Sequence, residues 1–135
     1  MSTAASLDAN VLVRLIVKDD TQQLGAARKI LSLYVKGGHT LFVPITVALE
    51  LEWVLRSRYK FGKLDVINTL SSLLTTVELV FEAEDALEQS LVTYEEGSAD
   101  FGECLHLALA RRAAALPFLT FDLKASKVAG TKLFK

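Results

Sequence analysis

Five carboxylates stand where a chain of this pattern would build a reaction centre: Asp8, Glu50, Asp100, Glu103 and Asp122. Asp8 follows Ala4-Ala5-Ser6-Leu7, and Asn10 then opens the apolar run Val11-Leu12-Val13. This predicts a short buried strand over 4–7, with Asp8 at its carboxyl end and a helix beginning near Asn10. Asp122 is delivered in the same way by the strand-like segment Leu116–Phe121. In open parallel α/β sheets ligands bind just outside the carboxyl ends of strands, so acids there are placed for chemistry. Asp100 and Glu103, at i and i+3, share one face at the start of a very apolar helix. Carboxylates gathered in this way repel one another and require a cation. Hard oxygen donors suit Mg²⁺ or Mn²⁺, and such a centre serves phosphodiester hydrolysis by metal-activated water.

Four of these acids also have a purely structural explanation. Asp8 or Asn10 would serve as a helix N-cap. Asp100 with Glu103 matches an Asp version of the capping box, and Asp122 would cap a short turn. Glu50 is argued from its helix, expected over 45–59. Glu50 and Glu52 lie two positions apart, about 200° around the axis, so they cannot face one site. Glu52 has Arg56 four residues on, in the favourable acid-before-base order, and a surface ion pair accounts for it. Glu50 has Thr46, Val47, Trp53 and Val54 at its helical neighbour positions, with no base among them. A carboxylate on an apolar face must be paired, hydrogen-bonded or metal-bound. Glu50 is therefore expected to look inward and to be functional.

The elements that position these acids follow from periodicity and punctuation. A first helix is expected over 10–18, and a second, capped by Thr21, runs to Gly37-Gly38. A strand follows over His39–Val43, closed by Pro44. Further helices are expected over 63–76, over 84–95 and after Asp100, with strands over Val77–Phe81, Leu116–Phe121 and Lys132–Phe134. Alternating strands and helices argue for one α/β domain, residues 1–135, with a central, mainly parallel sheet. His39 has no acid near it and reads as a surface residue. His106, one turn past Glu103 in an apolar helix, reads as a hydrogen-bonded core residue more readily than as a ligand or base.

Composition bounds the rest. The chain has 135 residues, enough to bury a core without disulfides. Hydrophobic residues make up 51%, yet no apolar run reaches the roughly 20 residues of a membrane span. The surplus implies a large core and a covered interface. The start of the chain lacks the basic and apolar regions of a signal peptide. Cys104, the single cysteine, excludes an internal disulfide and suits a reducing cytoplasm. Net charge is −1, not the basic signature of many nucleic-acid binders. Lys124, Lys127, Lys132 and Lys135 follow Asp122 without an acid and read as a solvated terminus. Gly-rich phosphate loops, Cys/His zinc spacings and Gly-x-Ser-x-Gly elbows are all missing.

In order along the chain, Leu7-Asp8-Ala9-Asn10-Val11-Leu12, Leu49-Glu50-Leu51-Glu52-Trp53-Val54-Leu55, Ala99-Asp100-Phe101-Gly102-Glu103-Cys104-Leu105-His106-Leu107-Ala108 and Leu119-Thr120-Phe121-Asp122 resemble the PIN-domain nucleases. More narrowly they resemble the VapC-type toxins of bacterial toxin–antitoxin pairs. The resemblance implies a three-layer α/β/α fold, a homodimer, Mg²⁺ or Mn²⁺, and endoribonuclease activity on RNA restrained by a small VapB-type antitoxin. Asp8 matches the first family acid, Glu50 the second and Asp122 the last. At the third the family usually has Asp where this chain has Glu103, and Asp100 matches an additional acid of the subgroup. The metal set implied is Asp8, Asp100, Glu103 and Asp122, and Thr120 matches a hydroxyl near the last acid. The resemblance leaves open whether the chain is a toxin or a housekeeping nuclease. A non-catalytic nucleic-acid- or protein-binding module stays open as an alternative. A haloacid-dehalogenase-like phosphatase fits less well, because Asn10 stands where its second acid would be. A receiver-type signalling domain also fits poorly, since it needs an acidic pair where this chain has Asp8 alone.

Overall fold

The computed structural model describes residues 2–134. The chain divides into two compact units, one ending at Glu82 and the other beginning at Ala83.

The first unit is built on β1 (Ser2–Ser6), β2 (His39–Val43) and β3 (Leu79–Phe81), with helices α1 (Ala9–Val17), α2 (Thr21–Lys36), α3 (Ile45–Ser57) and α4 (Lys63–Leu74) in the connections. The strands pair in the order β1-β2-β3, all parallel, as helical crossovers require. β2 is the buried strand, with Leu41 and Val43 fully enclosed. The sequence predicts a buried first strand over 4–7, whereas β1 spans Ser2–Ser6. It is an edge of its three-stranded sheet, mostly exposed, and its register slips between Thr3 and Ala5. Leu12, Ala48, Leu51, Leu55 and Val66 fill the core. Asp20, not Thr21, caps α2: its Oδ1 accepts the Gln23 N–H at 3.0 Å, and Thr21 is the first helical residue. Gly38 then turns the chain out of α2 in the left-handed region, where a glycine costs least.

The second unit packs α5 (Glu84–Glu96) on α6 (Phe101–Arg112), followed by a parallel pair, β4 (Phe118–Thr120) and β5 (Thr131–Leu133), joined through a 3-10 turn at Ala125–Lys127. Its core is Leu87, Leu91, Tyr94, Phe101, Cys104 and Leu105. Tyr94 meets Phe101 edge to face, with ring centroids 5.7 Å apart. All strand pairings are parallel, in agreement with the α/β class read from the sequence. They form a three-stranded and a two-stranded sheet, one in each unit.

Candidate active site

In the first unit the β1–β2 ladder continues past β1, where the Leu7 N–H donates to the Phe42 carbonyl at 2.9 Å. The next residue, Asp8, has extended backbone geometry and caps α1, its Oδ1 accepting the Asn10 N–H at 2.7 Å. Behind it Ala9, Leu12 and Val13 are buried, so the helix is anchored while the carboxylate stays exposed. Capping uses one oxygen. Oδ2 makes no hydrogen bond among the described residues, so the structural and chemical roles of Asp8 are compatible.

On α3 the two glutamates lie on opposite faces as expected, but the assignment of faces is reversed. The buried stripe is Ala48, Leu51, Glu52 and Leu55, the i, i+3, i+4, i+7 pattern of a core-facing helix. Glu52 is 2% exposed, and its Oε2 accepts the Arg56 Nε–H at 2.8 Å. The ion pair with Arg56 exists, but its acid lies in the core and not at the surface. Glu50 is exposed and has no ion pair or hydrogen bond among the described residues. It does not point into an apolar face, so burial gives no argument for its role.

Glu82 follows β3 directly, and its Oε1 accepts the Ile45 N–H at 2.8 Å, holding the start of α3 where Pro44 offers no side-chain cap. β1 and β3 are both parallel to β2, so Asp8 and Glu82 leave their sheet at the same end. The signal that marked Asp8 and Asp122, an acid straight after an apolar strand, was also present in Phe81-Glu82.

In the second unit Asp100 caps α6, its Oδ1 accepting the Glu103 N–H at 2.8 Å. The capping box is only half made: among the described residues the Glu103 carboxylate accepts no return bond from the Asp100 N–H. Glu103 is half-buried, carries no ion pair among the described residues, and is not consumed by the cap. Asp122 closes the β4 turn. Its N–H donates to Thr120 Oγ1 at 3.0 Å, its Oδ1 accepts the Ala125 N–H at 2.9 Å, and its carbonyl accepts the Ser126 N–H at 3.0 Å. Thr120 therefore fixes the acid two residues on. His106, expected in the core, is exposed and stacks on Phe118 with centroids 6.1 Å apart. His39 is half-buried, with Nδ1 2.8 Å from Ser2 Oγ.

The structure thus brings Asp100 and Glu103 together on one turn of α6. Asp8 and Glu50 lie on different elements of the first unit, and Asp122 sits on a separate turn of the second. Among the described residues no group of three or more His, Cys, Asp or Glu side chains stands together as a metal cage. The donor chemistry fits Mg²⁺ or Mn²⁺ nonetheless. The candidates are carboxylate oxygens, and among the described residues Asp8, Asp100 and Asp122 are each bonded through Oδ1 and not through Oδ2.

A PIN domain family model matches residues 5–131. A similar solved structure is that of Mycobacterium tuberculosis VapC20, described as a sarcin-ricin loop cleaving toxin. It shares 18% identity over 95% of this chain and 97% of that one, with a TM-score of 0.42. None of the curated proteins compared matches the chain.

Proposed function

The chain belongs to the PIN domain family, and on that premise we propose that it is a metal-dependent endoribonuclease that hydrolyses RNA phosphodiester bonds. We treat 1–135 as a single PIN-like domain, a reading supported by a family match that runs through both compact units. The observation that carries the function is the disposition of Asp8, Asp100 and Asp122. Each follows the end of a strand or opens a helix, and each accepts a backbone N–H with one oxygen and, among the described residues, leaves the other without a hydrogen bond. A side chain clamped in this way is pre-oriented, which is what a ligand or base in a site must be.

In this reading Asp8, Asp122 and the Asp100/Glu103 pair supply the oxygens for Mg²⁺ or Mn²⁺. When bound, the ion would supply activated water at neutral pH and charge to offset the phosphodiester oxygens. Glu50, exposed and unpaired, joins them as a catalytic acid. Thr120 holds Asp122 in place. We further propose that the chain is the toxin of a VapBC-type pair, cytoplasmic and homodimeric, restrained by a VapB-type antitoxin. Exposed Ile30 and Leu33 on α2 are apolar side chains that such partners would cover. Among the described residues no helix is long and apolar enough to cross a membrane.

The test is RNA cleavage by the purified chain with Mg²⁺, with Mn²⁺ and with EDTA, alongside Asp8→Asn. Cleavage is expected with the ions and not with EDTA, together with a higher melting temperature when the ion is bound. Melting that ignores the ions, together with no cleavage, would leave the binding-module alternative, and full activity in a folded Asp8→Asn protein would remove the mechanism built on Asp8.

A further inference from the structure

The turn joining α3 to α4 carries charge that the proposed chemistry does not use. Positions 56–63 hold Arg56, which pairs with Glu52, then Arg58, Lys60 and Lys63, with no acid among them, in a chain of net charge −1. A run of like charge is ordinarily a solvated, loosely held surface. This one is tied down at successive residues. Tyr59 Oη accepts from Arg14 Nη2 at 2.7 Å, and the Phe61 N–H donates to the Leu55 carbonyl at 3.0 Å. The Gly62 N–H donates to Asp65 Oδ2 at 3.3 Å. Lys60 sits at φ +59, a region that side chains other than glycine seldom adopt, and its Nζ donates to the Ser57 carbonyl at 2.9 Å. Arg58 and Lys60 are exposed. One turn back on α3 stands Trp53, the chain's single tryptophan and 58% exposed.

We propose that Trp53 and the α3–α4 turn form a docking surface for single-stranded RNA, in which Arg58 and Lys60 meet backbone phosphates and Trp53 stacks on a base. Exposed cations a turn or two along the chain from an exposed aromatic side chain supply the two groups that single-stranded nucleic acid uses, since every nucleotide offers a phosphate and a π face. Fixing the turn in advance lowers the ordering cost of binding. A second copy of this chain is the weaker occupant. A two-fold contact through this patch would set the same cations against each other. The inference rests on the chain acting on RNA, but it concerns where RNA lies and not whether it is cut.

The experiment uses the full chain in EDTA with a short labelled single-stranded RNA, titrated at several KCl concentrations. Binding is read by RNA anisotropy and by quenching of Trp53 emission. RNA is expected to quench the tryptophan. Arg58→Ala with Lys60→Ala should flatten the slope of log K against log salt by about 1.4, two contacts at roughly 0.7 each. Trp53→Ala should weaken binding about tenfold or more, while Trp53→Phe retains most of it. Thermal melts check that the variants fold, and the wild-type quench stands apart from them. Absence of RNA binding, or binding with unchanged Trp53 emission and unchanged slopes in the variants, overturns the proposal. So does equal quenching by polyglutamate, which would mark an acidic protein partner. Emission that depends on protein concentration without RNA would mark a second copy and overturn it too. RNA bound as described but never cut under Mg²⁺ leaves this surface standing and removes the nuclease reading instead.

Discussion

Two turns of the molecule present an aspartate at the end of a strand, and they hold it by different physical means. After β1, Asp8 accepts the N–H two residues ahead at 2.7 Å. After β4, Asp122 accepts the N–H three residues ahead at 2.9 Å. Behind Asp8 comes α1, nine residues long, with Leu12 wholly enclosed in the core. Behind Asp122 comes a 3-10 turn of three residues with only Ala125 buried. The second turn is held by polar contacts instead: the Thr120 hydroxyl to the Asp122 N–H, the Ser126 N–H to the Asp122 carbonyl, and Ser126 Oγ to the Leu123 carbonyl. One acid is fixed through apolar burial and the other through a local hydrogen-bond network. Position after a strand is thus separable from the force that maintains it.

The sharpest way to break this contrast is to remove apolar volume from each turn. Leu12→Ala should lower the unfolding free energy by about 2–5 kcal/mol. Leu123→Ala, at a side chain 63% exposed, should change it by less than about 0.5 kcal/mol. Urea unfolding of both variants decides, and equal losses would erase the distinction. The charges come next. Asp8→Asn and Asp122→Asn should each reduce RNA cleavage at least about a hundredfold if both oxygens serve a metal. Folding should be nearly untouched in both, because Asn caps as well as Asp. Cleavage kinetics paired with melts would show it.

A third test probes the core that backs the first turn. Glu52→Gln should cost about 1–3 kcal/mol, because a buried charge-assisted bond to Arg56 is lost. Glu50→Gln, exposed, should cost less than about 0.5 kcal/mol while losing cleavage. Equal stability of the two variants would mean the faces of α3 are misassigned. The smallest effect sharpens the comparison from the other side. Thr120→Val removes the hydroxyl that accepts the Asp122 N–H and should cost about 0.5–1.5 kcal/mol. Its cleavage rate should fall by more than its stability implies.

How much of this was legible beforehand depends on which interaction decides each feature. The strand His39–Val43 has the bounds expected from its residues, and the helices agree to within a few positions, because periodicity and Gly/Pro punctuation are local. Asp8, Asp100 and Asp122 were readable as acids at strand ends and helix starts for the same reason. The faces of α3 were not. Thr46, Val47, Trp53 and Val54 give the Glu50 side of the helix an apolar composition. The stripe Ala48, Leu51, Leu55 includes Glu52, and only the packing against α1 and α4 selects that stripe. Asp20 and Thr21 are both good caps, and the choice between them rests on one hydrogen bond. His106 was placed inside by its apolar neighbours in sequence, yet it lies outside, against Phe118. The half-made box at Asp100 and Glu103 has the sequence of a complete one.

Cys104 follows Glu103 directly and is buried, with its Sγ 4.0 Å from the Ala99 carbonyl. A thiol enclosed in this way is shielded from reagents until the helix around it opens. As the only cysteine in the sequence, it acts as a built-in clock. The rate at which a thiol-reactive dye labels the native chain measures how often the start of α6 comes loose. A bound ion or nucleic acid that clamps Asp100 and Glu103 would slow that clock, in a signal that needs neither catalysis nor an added probe site.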